Sequence, residues 1–218
     1  ANSPASLGAY PIRYLFMDEI DKYPPTAGRE SDPRALARER TRTFDNDKKI
    51  VNASTPTYEA GPIWQEWLNA DTRYEYFVTC PHCGESFTFR FKSLCFESDT
   101  PERARETAIY ACEHCGGLIR DSHRQEMVRT GLWKPVREEG RRRIAFRITA
   151  FLSPWLRLGD IAYEWVASKN DPARLMNFVN SWLAEPYKDV QSTTSAEWLL
   201  ENRQSQYEED EVPSGTVM

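Results

Sequence analysis

The first part of the chain alternates short apolar runs with polar stretches, in the order expected of an α/β fold. The apolar run at residues 14–17 stops abruptly at acidic residues, as a buried strand does at its carboxyl end. Residues 49–53 predict a second buried strand. Between them, Asp32 and Pro33 supply an N-cap and a first helical residue, which predicts a helix to about residue 44. A second helix is expected to follow, with an apolar face made of Ile63, Trp64, Trp67 and Leu68.

From about residue 74 the pattern changes to short β segments that lead into two Cys-x-x-C units, at residues 80–83 and 112–115. Residues 86–91 alternate polar and aromatic side chains, and residues 97–106 form a polar excursion between the two units. The middle of the chain is therefore predicted to be a small β region built around cysteines.

Helical spacing returns after about residue 144. Two helices are expected, over residues 159–168 and 172–184, and all seven tryptophans are assigned to the core. The helix residues expected to point inward are Trp165, Phe178, Val179 and Trp182. The end of the sequence, residues 207–215, is acidic and contains helix breakers, which is typical of a linker.

Composition narrows the class of protein only modestly. Lys plus Arg total 28 and Asp plus Glu 33, so the net charge of −5 argues against a wholly basic nucleic-acid-binding domain but leaves local patches open. No apolar run approaches the length of a membrane span. The sequence begins without Met or a signal-peptide pattern, which we interpret as a cut or processed start and therefore a fragment. Five cysteines, two pairs and one left over, suit a reducing cytosol better than a disulfide framework.

The two cysteine units carry the strongest chemical signal. Gly84 and Gly116 follow them and supply the permissive backbone of a tight turn, whose N–H groups can bond to sulfur. The four thiolates are expected to hold a closed, structural zinc ion. The ligands assigned to it are Cys80, Cys83, Cys112 and Cys115.

Other interpretations of the cysteine units remain. The four thiols could be ordinary buried or redox cysteines, and His82 or His114 could replace a cysteine as ligand. Cys95 lies in the polar excursion beside Phe96 and is predicted to be a small core residue.

The end of the first strand has the carboxylates that nucleotide hydrolysis needs. Asp18 could hold the water shell of Mg²⁺ and Glu19 could orient or deprotonate the attacking water, with Asp21 in support. Ser54 and Thr55 stand at the end of the second strand, where ATP-driven motors sense the γ-phosphate. The alternative for Asp18 and Glu19 is an exposed acidic turn. The alternative for Ser54 and Thr55 is a helix cap or a hydroxyl turn.

Two basic clusters are candidate contacts for DNA phosphates. Arg34, Arg38 and Arg42 recur every four residues, so these three arginines share one face of the first predicted helix. Lys48 and Lys49 follow shortly after the helix. This face could touch DNA or offer an arginine to a neighbouring subunit's ATP. The alternative is a solvated face paired with acidic residues, namely Glu30 and Glu39.

The second cluster consists of Arg141, Arg142 and Arg143, with Arg137 and Arg147 nearby, on a predicted hairpin. DNA contact is one interpretation of it, and a solvated hairpin is the other.

Taken in order, these motifs resemble the lambda-type large terminase subunit of tailed phages. The resemblance spans about residues 2–215, and the joint order is specific although each motif except the cysteine pair is weak alone. It rests on residues 11–24 (PIRYLFMDEIDKYP), Ser54-Thr55-Pro56, the two cysteine units, Ser153-Pro154-Trp155, and residues 178–180 and 185–187.

The resemblance implies a DNA-packaging motor, in which a P-loop ATPase precedes a metal-dependent nuclease. Asp18 and Glu19 match the Walker B pair, Ser54-Thr55-Pro56 matches the coupling motif, and the cysteines match a zinc-ribbon insertion. The implied cofactors are structural Zn²⁺ and, in the full-length protein, Mg²⁺ and ATP. The implied partners are double-stranded DNA, the small terminase subunit, the portal or procapsid and further copies of the chain. No membrane is involved, and the implied location is the cytoplasm of an infected or lysogenic bacterial host.

The implied fold class is α/β: a partial P-loop ATPase core with a zinc-ribbon β insertion and a C-terminal helical segment. Residues 1–73 would be the C-terminal part of the ATPase core, 74–150 the insertion, 151–206 the helical segment and 207–218 an acidic linker toward a nuclease domain outside this sequence. The phosphate-binding pattern G-x-x-x-x-G-K-[ST] does not occur here, so the fragment alone is expected to be inactive.

Two other functions compete with this hypothesis. A DExD-type helicase fragment would also carry the sequence Asp18-Glu19-Ile20-Asp21 at a strand end. A zinc-ribbon module that binds DNA or protein without catalysis would need only the cysteines and not the carboxylates at the strand end.

Overall fold

The structure, a computed structural model, describes residues 10–27 and 31–188. The predicted linker, the last part of the predicted helical segment (residues 189–206) and Glu30 lie outside the described residues. The described strands are β1 (Tyr14–Met17), β2 (Lys49–Asn52), β3 (Thr72–Thr79), β4 (Ser86–Phe87), β5 (Leu94–Cys95), β6 (Ile109–Ala111), β7 (Leu118–Ile119), β8 (Leu132–Glu138) and β9 (Ile144–Phe146). The described α-helices are α1 (Pro33–Glu39), α2 (Pro62–Leu68), α3 (Pro101–Thr107), α4 (Asp121–Thr130), α5 (Leu158–Ser168) and α6 (Pro172–Asn177).

Strands β1 and β2 pair in parallel, which confirms both predicted strands. Leu15 and Met17 face a small core that also contains buried residues of the following turn and of α1. The opposite face is open, because Phe16 is 76% exposed and Val51 45% exposed. The prediction that both strands are buried is therefore wrong for this face, since the described sheet has two strands and is covered on one side.

Helix α1 begins as predicted. The side chain of Asp32 accepts a hydrogen bond from the Arg34 N–H at 2.8 Å, and Pro33 occupies the first helical position. The helix ends at Glu39, earlier than expected, and Arg42–Phe44 form a separate 3₁₀ turn.

Strand β3 organises the cysteine-bearing region. It pairs antiparallel with β8, parallel with β9 and, at its far end, antiparallel with β4, while β5, β6 and β7 form a second antiparallel sheet. Because β8 and β9 both pair with β3, the predicted hairpin that carries Arg141, Arg142 and Arg143 is wrong. These arginines lie on a loop that crosses the end of β3, where the Arg143 N–H donates to the Asp71 side chain.

The polar excursion contains helix α3, which the sequence pattern does not predict because Ala104 is its single buried residue. Thr100 caps the helix by accepting a hydrogen bond from the Arg103 N–H at 3.1 Å. Helix α3 packs closely on α5 at Gly159, where a side-chain Cβ would collide with the Arg105 carbonyl oxygen.

The main core joins the β region to the C-terminal helices. Phe178 is fully buried, and the other three predicted inward residues pack partly buried against the same core. The core residues are Val78, Cys80, Phe87, Phe89, Leu94, Ala104, Tyr110, Cys112, Ile119, Met127, Ala150, Phe151, Leu158, Ile161, Ala162, Val166 and Phe178.

Two predictions about the core are wrong. Trp155 is 87% exposed and Trp133 37% exposed, so the tryptophans are not all core residues. Cys95 is exposed as well, because its side chain leaves the short strand β5 on the face away from Leu94. No helix among the described residues is long and apolar enough to cross a membrane.

Arg124 on helix α4 is a buried cation that ties this helix to the approach to α5. Its side chain is 1% exposed and pairs with Asp121 at 3.1 Å. The guanidinium donates to the carbonyl oxygens of Phe151 at 2.7 Å, Ser153 at 3.0 Å and Leu156. These bonds satisfy backbone acceptors that have no partner strand.

Replacing Arg124 with Met is expected to lower the free energy of unfolding by about 2–4 kcal/mol, because buried carbonyl groups lose a charged donor. Chemical denaturation of the purified chain measures this. The matched control is Arg129→Met on the same helix, whose exposed pair with Glu126 contributes little. Equal stability of the two variants would contradict the assigned role of Arg124.

Candidate functional site

The carboxyl ends of β1 and β2 lie side by side because the two strands run in parallel. This brings together the acidic and hydroxyl residues that the sequence analysis predicts to act together. The Thr55 hydroxyl donates to the Glu19 carboxylate at 3.5 Å, and Ser54 accepts a hydrogen bond from the Asp21 N–H at 3.2 Å. The two strand ends therefore form one cluster, which we call the strand-end site: Asp18, Glu19, Asp21, Ser54, Thr55 and Thr57.

Glu19 has a strained backbone within this site. Its φ of 51° and ψ of 46° lie in the left-handed region, which is uncommon for residues other than Gly, Asn and Asp. The strain is held by its neighbours: Ile20 is fully buried and donates its N–H to the Ala53 carbonyl at 3.2 Å, while Asp18 accepts the Glu19 N–H at 3.0 Å. Such strain persists where the surroundings fix it, and it concentrates at functional sites.

Asp21 makes the largest number of contacts in the strand-end site. Its carboxylate accepts the Thr57 N–H at 2.9 Å, the Thr57 hydroxyl at 2.8 Å and the Ile63 N–H at 2.7 Å. The last of these satisfies an otherwise unpaired N–H in the first turn of α2. One side chain thus fixes the loop after β2 and the start of α2 to the end of β1.

Gly61 is required beside Asp21. A Cβ at this position would lie 2.5 Å from the Asp21 carboxylate oxygen and 3.0 Å from the Thr57 hydroxyl. The sequence analysis gives Asp21 only a supporting role and does not select Thr57. The available signal was the Gly61-Pro62 pair, which marks a turn, but Asp21 lies forty positions earlier in the chain.

The four predicted cysteine ligands also come together. Their sulfur atoms all lie within 4.8 Å of one another, and the Cys80–Cys115 and Cys83–Cys112 pairs are each 3.9 Å apart. Tetrahedral zinc with Zn–S bonds of about 2.3 Å places its sulfur atoms about 3.8 Å apart. The donor set and its spacing therefore fit such an ion.

The turns around these cysteines have the predicted form. Gly84 and Gly116 have φ of 78° and 70°, and the N–H groups of His82 and Gly117 lie 3.4 Å from the sulfurs of Cys80 and Cys115. Two of the four thiols are buried and two exposed. Backbone donors to sulfur stabilise thiolates.

The histidines in the turns have other partners. His82 lies with its Nε2 2.9 Å from the Leu118 carbonyl oxygen, and the ring of His114 packs edge-on against Phe87. Among the described residues the metal-binding group contains four cysteines and no histidine.

The first basic cluster is engaged in ion pairs. Arg42 pairs with Glu39 at 2.6 Å, as the solvated-face interpretation predicts, and Arg38 pairs with Glu66 on α2. Arg34 hydrogen-bonds to Asp32 and so holds the pKa of that carboxyl below its ordinary value.

The second cluster is also engaged in ion pairs. Arg141 and Arg143 form loose pairs, at 3.8 Å with Glu138 and 3.6 Å with Asp71. The pKa of Asp45, in the turn that follows Arg42, is lowered by a hydrogen bond from Lys48 and, to a smaller extent, by Arg142. Both clusters contact helix α2, because Arg38 pairs with Glu66 and Arg137, beside the second cluster, donates to the Leu68 carbonyl oxygen at 3.2 Å.

Two family models match the chain. The model described as "Phage terminase large subunit gpA, ATPase domain" matches residues 1–133, and the one described as "Terminase large subunit gpA, endonuclease domain" matches residues 143–218. The chain belongs to the gpA family of phage terminase large subunits. The strand-end site and the cysteine cluster lie in the ATPase match. The endonuclease match begins at residue 143, well before the predicted linker at residues 207–218 beyond which the resemblance places the nuclease.

Individual relatives agree with this membership. The terminase large subunit of Enterobacteria phage P21 is 27% identical over 205 residues, which cover 82% of this chain and 31% of that protein. The terminase large subunit of Escherichia phage lambda is 24% identical over 201 residues, which cover 78% of this chain and 31% of that protein. The chain thus spans about a third of the length of these curated relatives. No solved structure matches it.

Replacing Gly61 with Ala is expected to lower the free energy of unfolding by about 1–3 kcal/mol, because the added methyl group overpacks the Asp21–Thr57 contact. Thermal or chemical denaturation measures the change. Gly140→Ala is the matched control, since the nearest atom to a Cβ there is 3.4 Å away. A Gly61→Ala variant as stable as the control would show that the contact is not tight.

Proposed function

We propose that this chain contributes part of an ATPase that drives double-stranded DNA into a procapsid. The observation that carries the proposal is the contact of the left-handed Glu19 with Thr55 across two parallel strand ends. Membership of the gpA family supplies the context. The small terminase subunit, the portal or procapsid and further copies of the chain are the partners that this function needs.

In this proposal Glu19 orients and deprotonates the water that attacks the γ-phosphate, and Asp18 would hold the water shell of a bound Mg²⁺. Bound Mg²⁺ would neutralise charge that develops on the phosphates. Asp18 and Glu19 are exposed at the strand end, where both can reach a nucleotide. The fixed backbone of Glu19 limits its carboxylate to a narrow region, which favours a positioned general base.

Ser54 and Thr55 are the proposed coupling residues. Thr55 bonds directly to Glu19, so a change in the hydrogen bonding of that carboxylate alters the position of the hydroxyl. Ser54 is held at two points, by the Asp21 N–H and by its own bond to the Thr55 carbonyl at 3.0 Å.

The cysteine cluster is proposed to hold structural zinc in a ribbon-like β region. Four cysteines leave no open coordination position, so the ion would serve folding and not catalysis. Cys80 and Cys112 also belong to the main core, which links the cluster to the packing of the whole β region.

The two basic clusters are the proposed DNA contacts, made of Arg38, Arg42, Arg141, Arg142 and Arg143. The ion pairs of Arg42, Arg141 and Arg143 are exposed, and exposed pairs contribute little and exchange readily. DNA phosphates can therefore replace the carboxylates at small cost. A trans-acting role for Arg38 or Arg42 at a neighbouring subunit's ATP is the second use of the same surface.

Glu19→Gln in a complete large subunit that contains this sequence is expected to lower the rate of ATP hydrolysis about 10²–10⁴-fold, because the general base is lost. ATP affinity should stay within a few-fold of the original value. Steady-state phosphate release and nucleotide binding measure the two quantities. Glu126→Gln, an exposed change on α4, is the control. Unchanged hydrolysis in Glu19→Gln would remove the proposed catalytic role.

The purified chain is expected to contain about one zinc ion and to lose structure when the metal is chelated. Cys80→Ser should lower both the metal content and the melting temperature. Cys95→Ser should change neither, because Cys95 is exposed and outside the cluster. Elemental analysis and thermal melts test both variants. A metal-free chain that is indifferent to chelators would refute the zinc site.

A further inference from the structure

The loop that follows β2 touches the C-terminal part of the described chain. The Thr57 carbonyl oxygen accepts the Tyr187 N–H at 2.9 Å. The hydroxyl of Tyr58 lies 3.5 Å from the sulfur of Met176 on helix α6. These contacts join residues more than a hundred positions apart, and they start from the residues directly after the proposed coupling pair.

Thr57 forms hydrogen bonds with both Asp21 and Tyr187. Its N–H and hydroxyl donate to Asp21, and its carbonyl oxygen accepts from Tyr187. One residue therefore connects the strand-end site with the segment 183–187. A shift of the loop by about an ångström would weaken one of these bonds, since hydrogen bonds lose strength quickly with distance and angle.

The segment 183–187 is itself strained. It follows the π-helical turn Phe178–Trp182, and Ala184 has φ of 52°, in the left-handed region. Glu185 holds it in place, with its N–H bonded to the Val179 carbonyl at 3.2 Å and its carboxylate 3.4 Å from Arg147. π-helical turns inside helices occur frequently at functional sites. The segment also lies inside the stretch that matches the endonuclease model.

We propose that Thr57 is a positioning residue that couples the strand-end site to the segment 183–187. This rests on the proposed ATPase function. Loss of the γ-phosphate changes the hydrogen bonding of Glu19 and Thr55, the loop moves, and Thr57 passes the movement through its carbonyl oxygen to Tyr187. Coupling of this kind is reciprocal, so events in the nuclease part of the protein would also change the affinity for nucleotide.

The size of the effect follows from the bonds involved. A neutral backbone hydrogen bond is worth about 1 kcal/mol, which corresponds to roughly a fivefold change in an opening equilibrium. We therefore expect the amides of Leu183, Ala184, Glu185 and Tyr187 to exchange with solvent about fivefold differently in the ATP-bound and ADP-bound states.

Hydrogen–deuterium exchange of a complete large subunit that contains this sequence tests the proposal. The protein is compared with ADP and with a non-hydrolysable ATP analogue, each with Mg²⁺. Thr57→Val removes the hydroxyl bond to Asp21 and should reduce the nucleotide-dependent difference at residues 183–187, with nucleotide at saturating concentration in both states. The matched control is Thr107→Val at the end of helix α3, whose hydroxyl donates to the Arg103 carbonyl oxygen and accepts the Glu97 N–H, and it should keep the difference.

A second variant tests the same coupling in case Thr57→Val disrupts the fold of the loop after β2. Tyr187→Pro removes the N–H that bonds to Thr57, so ATP hydrolysis should continue while the exchange difference at Leu183, Ala184 and Glu185 is lost. A difference of unchanged size in both variants would overturn the coupling. Unmodified protein that hydrolyses ATP without any exchange difference would overturn it as well. Unmodified protein that binds no ATP would refute the ATPase proposal itself.

Discussion

The carboxylate of Asp21 is the interaction on which the first part of the structure depends. It gathers three donors from a loop and a helix that are far from it in sequence, and without them the ends of β1, β2 and the start of α2 would have no common anchor. The strained turn at Glu19 is tolerable because the buried Ile20 and the Asp18 side chain fix it from both sides. Geometry at the strand-end site is thus a product of long-range hydrogen bonding more than of the strands themselves.

A buried cation plays the corresponding part in the second half of the fold. Arg124 collects three carbonyl oxygens from an irregular stretch that no sheet or helix could satisfy. Each half of the molecule therefore relies on one charged side chain that replaces missing secondary structure. Such residues are costly to bury alone and stabilising when fully bonded.

Local patterns in the sequence are enough to predict part of the fold and of the strand-end site. The strand ends, the Asp32 cap and the two cysteine turns are set by neighbours a few positions apart, so their prediction succeeds. Helix α3 is not predicted, because a short polar helix with one buried Ala has no periodic pattern of apolar residues. The link between Asp21 and Thr57, the pairing of Arg38 with Glu66 and the contact of both basic clusters with helix α2 all depend on contacts across the fold, and no local pattern encodes them.

The parallel pairing of β3 with β9 has an architectural consequence. Thr72, where the chain enters the cysteine-bearing region, lies directly beside Ile144, where it leaves. Because the two ends of this region are adjacent, the region adds little loop-closure entropy cost to the rest of the fold, and its length can change at little cost. The region can therefore lengthen, shorten or diverge during evolution without altering the distance between the two stretches of chain that flank it.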